Sequence, residues 1–347
     1  MKVIITGGGG FIGINAAQYF LQKGNDVILF DSLYRKGATE NIEWIKNQFS
    51  KVTFIKGDIQ NIDNCEQLFQ IHHDVSLVLH LAAQVAVTTS VTNPREDFEK
   101  NALGTLNILE GIRKYCSNCI IIYSSTNKVY GYIDGARISE RNDCYFLPDY
   151  PHGISENTQL DFHSPYGCSK GAADQYVHDY SRIYGLKTIV FRQSCIYGYR
   201  QFGIEDQGWI AWFTIASIIN QPITIYGNGK QVRDVLFIDD LISAYDLAFK
   251  CREKTSGQIY NIGGGPNNSL SLHKFINHLE SFMGGEIDAR YSDWRPGDQK
   301  VYISDIRKAQ KDFGWSPVIS VGIGIKNLHK WIKANKVMII STLGFDK

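Results

Sequence analysis

Residues 3–13 read Val3-Ile4-Ile5-Thr6-Gly7-Gly8-Gly9-Gly10-Phe11-Ile12-Gly13: a β-branched apolar run, a block of glycines, then the start of an amphipathic stretch reaching Lys23. A strand over Val3–Thr6 and a helix over Phe11–Lys23 follow from that pattern. Gly7, Gly10 and Gly13 fit GxxGxxG. Such a turn needs glycine for its tightness, for the approach of a pyrophosphate to bare backbone, and for close packing of helix on strand. The first helical turn, with Phe11 and Ile12, then offers free amides and a partial positive charge to phosphate. The stretch is thus a dinucleotide-binding loop. Asp31 ends the next apolar run, Val27–Asp31, at about the spacing where a carboxylate meets the adenosine ribose. A 2′-phosphate there meets a like charge, so NAD is expected rather than NADP; Arg35 and Lys36 close by argue the other way. Asp58, after a third run, reaches the adenine edge or caps a turn, with Ile59 beside it.

Outward from that loop the alternation continues. Val52–Lys56, Leu77–His80 and Ile120–Ser124 read as further strands, too continuously apolar to have a wet face, with a helical pattern such as Phe98–Tyr115 between them. This order predicts an α/β fold: a doubly wound Rossmann-type parallel sheet with helices on both faces. Ser164 suits a helix N-cap, Pro165 the first helical position and Gly185 the C-cap, and the strand Thr188–Arg192 follows. Later segments are shorter, with Gly227-Asn228-Gly229 a turn and Gly263-Gly264-Gly265-Pro266 a break. We expect a cofactor domain over 1–195, joined by a returning segment at about 235–262, and a smaller α/β substrate domain over 196–234 and 263–347.

Of 347 residues, 36 are basic and 35 acidic, a balance without the electrostatic footprint that nucleic acid or an anionic membrane needs. Met1 leads directly into the first apolar run, so no signal peptide is expected. The late apolar stretch Val337–Ile340 is far short of the roughly 20 residues of a membrane helix. Seven scattered cysteines read as reduced thiols, and the cytoplasm is the expected location. Cys116 and Cys119 have motif-like spacing but no second pair, so they read as packing, and no metal site is expected. His72 and His73 read as surface residues.

Tyr166-Gly167-Cys168-Ser169-Lys170 places a phenol and an ammonium four residues apart, on one face of the predicted helix. A cation within about 4 to 6 Å lowers a tyrosine pKa by roughly one to three units, which predicts Tyr166 as a base near neutral pH. The run Ser124-Ser125-Thr126-Asn127-Lys128-Val129-Tyr130-Gly131 leaves the Ile120 strand at the sheet edge where parallel-sheet enzymes bind ligands. Thr126 there can bond a reacting oxygen, whereas Ser124 and Ser125 fit ligand and turn roles equally.

Together the glycine loop, the Thr126 segment and the Tyr166/Lys170 pair resemble the extended short-chain dehydrogenase/reductase family over nearly the whole chain. The resemblance implies Tyr166 as acid/base, Lys170 as the residue that orients the nicotinamide ribose, and Thr126 as its helper. It further implies cofactor contacts at Ala82, Ala83, Gln84, Asn101 and Ser124. Dehydratases of that family carry Asp-Glu after the threonine; Asn127 and Lys128 stand there in this chain, which leaves epimerisation. The blocks 124–131, 158–175 (TQLDFHSPYGCSKGAADQ) and 200–213 (RQFGIEDQGWIAWF) resemble the CDP-paratose 2-epimerases, also called CDP-tyvelose epimerases. That implies oxidation at carbon 2 of a nucleotide sugar, a CDP-sugar being favoured, and return of the hydride on the other face. Substrate contacts are then expected at Thr126, Asn127, His163, Ser194, Gln207, Gln231, Arg233, Arg295 and Asp298. Arginine suits pyrophosphate because its planar fork bonds two oxygens at once. Trp209 reads as pocket or core alike. A homodimer or homotetramer is expected by analogy. A UDP-hexose 4-epimerase, another nucleotide-sugar oxidoreductase and a NAD-sensing binding protein remain as alternatives.

Overall fold

A computed structural model describes residues 1–133, 135–295 and 297–345. Pro296, within the segment read as a pyrophosphate contact, lies outside the described residues. Seven strands form the main sheet: β1 (Lys2–Thr6), β2 (Asp26–Asp31), β3 (Val52–Lys56), β4 (Leu77–His80), β5 (Ile120–Thr126), β6 (Lys187–Gln193) and β7 (Gln258–Ile262). Their order is β3-β2-β1-β4-β5-β6-β7, with every pair parallel. Strand alternation feeds two cores. Val3, Ile5, Val27, Leu29, Ile120 and Ile122 enter one, whereas Ile4, Ile28, Phe30, Val78, Ile121 and Tyr123 enter the other. Both faces are therefore dry, as the uninterrupted apolar runs require. The order reverses at β1, between β2 and β4, and the crevice beyond the carboxyl ends of these strands is where such sheets hold ligands.

Three local expectations are corrected. β5 runs two residues past Ser124, because Ser124, Ser125 and Thr126 stay in register with Phe191, Arg192 and Gln193 of β6, a long-range pairing that local residue types do not announce. The stretch from Phe98 is not one helix: a short helix Pro94–Phe98 passes through a π-type turn at Glu99–Leu103 into the helix Gly104–Tyr115. Ser164 opens its helix (Ser164–Tyr184) with φ +65°, and its Oγ accepts the amide of Gly167 at 3.2 Å, so the capping bond forms on a left-handed residue. Gly185 closes that helix with φ +68°.

Beyond the main sheet, strand Val232–Phe237 pairs with Cys195–Tyr197, Ser269–Ser271 and Val301–Tyr302, while Ile223–Tyr226 pairs with Ala289–Ser292. These short strands bring residues from 195 to 302 over the carboxyl edge of β5 and β6. Cys116 and Cys119 are buried in the second core with free thiols. Among the described residues no helix is long and apolar enough to cross a membrane.

Candidate active site

The glycine loop is built by exclusion of side chains. At Gly7 (φ +68°) an added Cβ would lie 2.8 Å from the Ala82 amide nitrogen, and at Gly13 it would lie 2.3 Å from the Gly7 carbonyl. Loop, helix and the β4 exit touch backbone to backbone, leaving a cradle that any side chain would fill. Thr6 Oγ1 accepts the amides of Leu81 and Ala82, both at 3.2 Å, and bonds His80 Nδ1 at 2.7 Å. Burial drives the His80 pKa down to about 3, so this tie is neutral.

Asp31 points at the loop. Its Oδ2 accepts the Gly9 amide at 2.9 Å and Oδ1 accepts that of Leu33 at 2.7 Å. Burial raises its pKa against those two amides and the nearby Arg35 charge. Lys36 does not compete, because it donates to the Leu343 carbonyl at 3.0 Å. Asp58 Oδ1 accepts the Gln60 amide at 2.9 Å, a turn role, and Ile59 packs on Gly104. The cradle, the free amides and a carboxylate at the β2 end fit NAD.

Tyr166, Lys170, Thr126 and Asn127 are all under 9 % exposed. Thr126 ends β5, and its hydroxyl stands close enough to the Tyr166 phenol to lower that phenol's pKa. Lys170 Nζ donates to the Ser124 carbonyl at 2.6 Å and lies 4.2 Å from the Tyr123 ring centroid. One expectation fails here. The Tyr166 pKa is pushed up to about 12 by burial, with the neighbouring Thr126 hydroxyl opposing it, while burial takes Lys170 down to about 7 against the pull of Asp174 and Asp97. Desolvation outweighs the cation, because a phenolate and an ammonium both lose water in this pocket.

Behind the pair lies a polar cluster that composition did not announce. Asp97, 1 % exposed, accepts from Ser169 Oγ, from Gln84 Nε2 at 2.8 Å and from Asn101 Nδ2 at 3.2 Å. Asn101, carried on the π-type turn, also accepts the Gln84 amide at 2.8 Å. Ala83 lies between Gln84 and the Ala82 contact below Gly7. Asp97 sits in Pro94-Arg95-Glu96-Asp97-Phe98, which reads as an ordinary charged helix start; only folding turns this one acid inward. Ser124 and Ser125 point into the protein: Ser124 Oγ bonds Gln193 Oε1 at 3.0 Å and Ser125 Oγ bonds Asp174 at 2.6 Å.

The expected substrate residues fall into two groups. Arg233 is bonded to Asp298 at 2.7 Å, and Lys128, which the sequence reading used only to argue against dehydration, stands beside them. Arg295 pairs with Asp206 at 3.1 Å and covers the Tyr226 ring at 3.8 Å, next to the turn that carries Gln207. Gln231 Nε2 donates to the Tyr226 carbonyl at 2.6 Å, and its buried Oε1 has no partner among the described residues. Ser194 Oγ is tied to the Asp234 carbonyl at 2.9 Å, so it braces the strand below. His163 pairs with Asp161 at 2.9 Å, edge-on to Tyr132. Trp209 packs on Phe213 and Phe275, as core.

The family model described as GDP-mannose 4,6 dehydratase matches residues 4–328. The chain is 49 % identical over 338 residues to the CDP-paratose 2-epimerase of Salmonella typhi, covering 95 % of this chain and 99 % of that protein. It is 35 % identical to a putative UDP-glucose 4-epimerase of Methanocaldococcus jannaschii, covering 96 % and 99 %. The crystal structure of Thermus thermophilus UDP-glucose 4-epimerase in complex with NAD superposes with a TM-score of 0.82 at 28 % identity, over 96 % of this chain and 99 % of that one. With a fitted dinucleotide cradle and this match along its length, the chain belongs to the GDP-mannose 4,6 dehydratase family of extended short-chain dehydrogenase/reductases, with NAD as its cofactor.

Proposed function

We propose that this protein is an NAD-dependent nucleotide-sugar epimerase that interconverts CDP-paratose and CDP-tyvelose through a 2-keto sugar. The observation that carries the reading is the buried convergence of Thr126, Tyr166 and Lys170 at the end of β5, in a chain so similar to a CDP-paratose 2-epimerase. NAD supplies the hydride acceptor and donor. Tyr166 Oη takes the proton of the 2-hydroxyl as the carbonyl forms and returns it when the alcohol is rebuilt, while Thr126 bonds the same oxygen. Lys170 shares the helix face of Tyr166, and in its ammonium form it favours the phenolate that takes the proton.

Gly7, Gly10, Phe11, Ile12, Gly13, Asp31, Asp58, Ile59, Ala82, Ala83, Gln84, Asn101 and Ser124 surround the cofactor in this reading. Residues 1–195 with 235–262 form its domain, and 196–234 with 263–347 hold the nucleotide sugar, Arg233 and Arg295 toward its phosphates. The protein works in the cytoplasm as a homodimer or homotetramer. A carbon-4 epimerase acting on a UDP-hexose is the second reading, supported by the 35 % identical relative. Incubation with CDP-paratose, followed by NMR of the anomeric and carbon-2 protons, separates the two. An unchanged spectrum alongside turnover of a UDP-hexose moves the chemistry to carbon 4. A stoichiometric absorbance change from reduced cofactor marks a net oxidoreductase instead.

A further inference from the structure

We propose that Lys128 is a substrate-binding residue that holds the sugar-linked phosphate of the nucleotide beside the catalytic threonine, and so sets the ring position that reacts. Lys128 lies on the turn Asn127–Tyr130 that leaves β5, and its amide donates to Thr126 Oγ1 at 3.3 Å. Among the described residues its ammonium has one hydrogen-bond partner, the Gly297 carbonyl at 3.3 Å. Its charged neighbours are Arg233 and Asp298, with the Cys195 thiol also near. Asp298 is already bonded to Arg233. Two cations thus stand by one carboxylate in a half-buried corner, an arrangement that suits a bound anion. Burial first and Arg233 second bring the Lys128 pKa down to about 8, with Asp298 opposing them.

The chemistry of the substrate says which anion. Carbon 2 of a nucleotide sugar is bonded directly to the anomeric carbon that carries the phosphate, whereas carbon 4 lies across the ring. An enzyme that oxidises carbon 2 must therefore place the sugar-linked phosphate next to its catalytic hydroxyls. A lysine two residues after Thr126 stands at that place, and the Arg233–Asp298 pair continues the contact toward the second phosphate. This inference rests on the carbon-2 reading, but its test needs no turnover.

Calorimetric titration of the NAD-saturated protein with CDP and with CMP, and with UDP and UMP in parallel, isolates the outer phosphate, which is the one linked to the sugar in the substrate. The wild type is expected to bind the diphosphate of the tighter pair well above its monophosphate. Lys128→Met is expected to weaken diphosphate binding by about 10- to 100-fold, the loss of a charge-assisted contact, and to leave monophosphate binding within about twofold. Lys128→Arg is expected to restore most of the difference. Equal losses for diphosphate and monophosphate overturn the assignment, since they mark a disturbed pocket, and so does diphosphate binding within twofold of wild type in a Lys128→Met protein of unchanged melting temperature. If Lys128→Met loses diphosphate binding selectively yet the wild type converts no CDP-paratose, the carbon-2 reading falls while Lys128 remains a phosphate ligand.

Discussion

Lys170, on the helix Ser164–Tyr184, and Arg192, on β6 against that helix, are 3 % and 2 % exposed, and they answer burial in opposite ways. Arg192 meets Asp174 through Nε at 3.0 Å and NH2 at 2.8 Å and adds the Tyr130 phenol at 3.1 Å. Burial opposes its charge, yet Asp174 holds its pKa above the ordinary value. Lys170 has a carbonyl and an aromatic ring for company, and burial brings its pKa to about 7. The network keeps a fixed charge because its counter-ion is complete; the pocket keeps a titratable group because its compensation is partial. Structure and chemistry thereby fall to different residues of one helix, Asp174 and Lys170.

That contrast can be broken on either side. Tyr166→Phe is expected to lower epimerisation by about 10²- to 10⁴-fold while leaving the melting temperature within a few degrees, and retention of most of the rate would remove the acid–base role. Asp174→Asn strikes the other region. It leaves the Arg192 guanidinium buried without a full partner and is expected to cost about 3 to 5 kcal/mol in urea unfolding, with Asp174→Leu combined with Arg192→Met recovering much of the loss.

Acid and base sharpen the comparison further. Between about pH 7 and pH 10.5 the unfolded chain still protonates Lys170 while the folded chain does not, so stability rises with pH through this window and is flat below it. Wild type measured against Lys170→Met is expected to show an excess slope of about 1 kcal/mol per pH unit there. No excess slope would mean that the ammonium stays charged in its pocket. The smallest effect is expected for Ser125→Ala, which removes one of the bonds to Asp174 and is expected to cost about 1 kcal/mol with turnover intact; a large rate loss would move Ser125 into the catalytic set.

The first half of the fold was readable because each strand is a continuous apolar run and each glycine answers a local need. β3 and β4 begin and end where the pattern placed them, and Gly7 and Gly13 leave no room for a Cβ. The extension of β5 to Thr126 was not readable, since it depends on pairing with Gln193, 67 residues away. Asp97 was missed for the same reason: its neighbours Glu96 and Arg95 are acidic or basic on an ordinary surface turn, and nothing local marks the one side chain that turns toward Ser169. Ser194 reads as a substrate contact, and its hydroxyl is tied to the Asp234 carbonyl; Trp209 reads as pocket or core alike, and it packs on the aromatic core.

Periodicity and glycine spacing by themselves determined the parallel sheet, the cofactor loop and the pairing of Tyr166 with Lys170 on one helix face, because these follow from steric rules acting over a few residues. Which charges survive burial was decided only by the tertiary structure. The pKa values of Tyr166, Lys170 and Lys128 depend on how much water the whole fold excludes and on which distant carboxylate it delivers, and neither quantity is local.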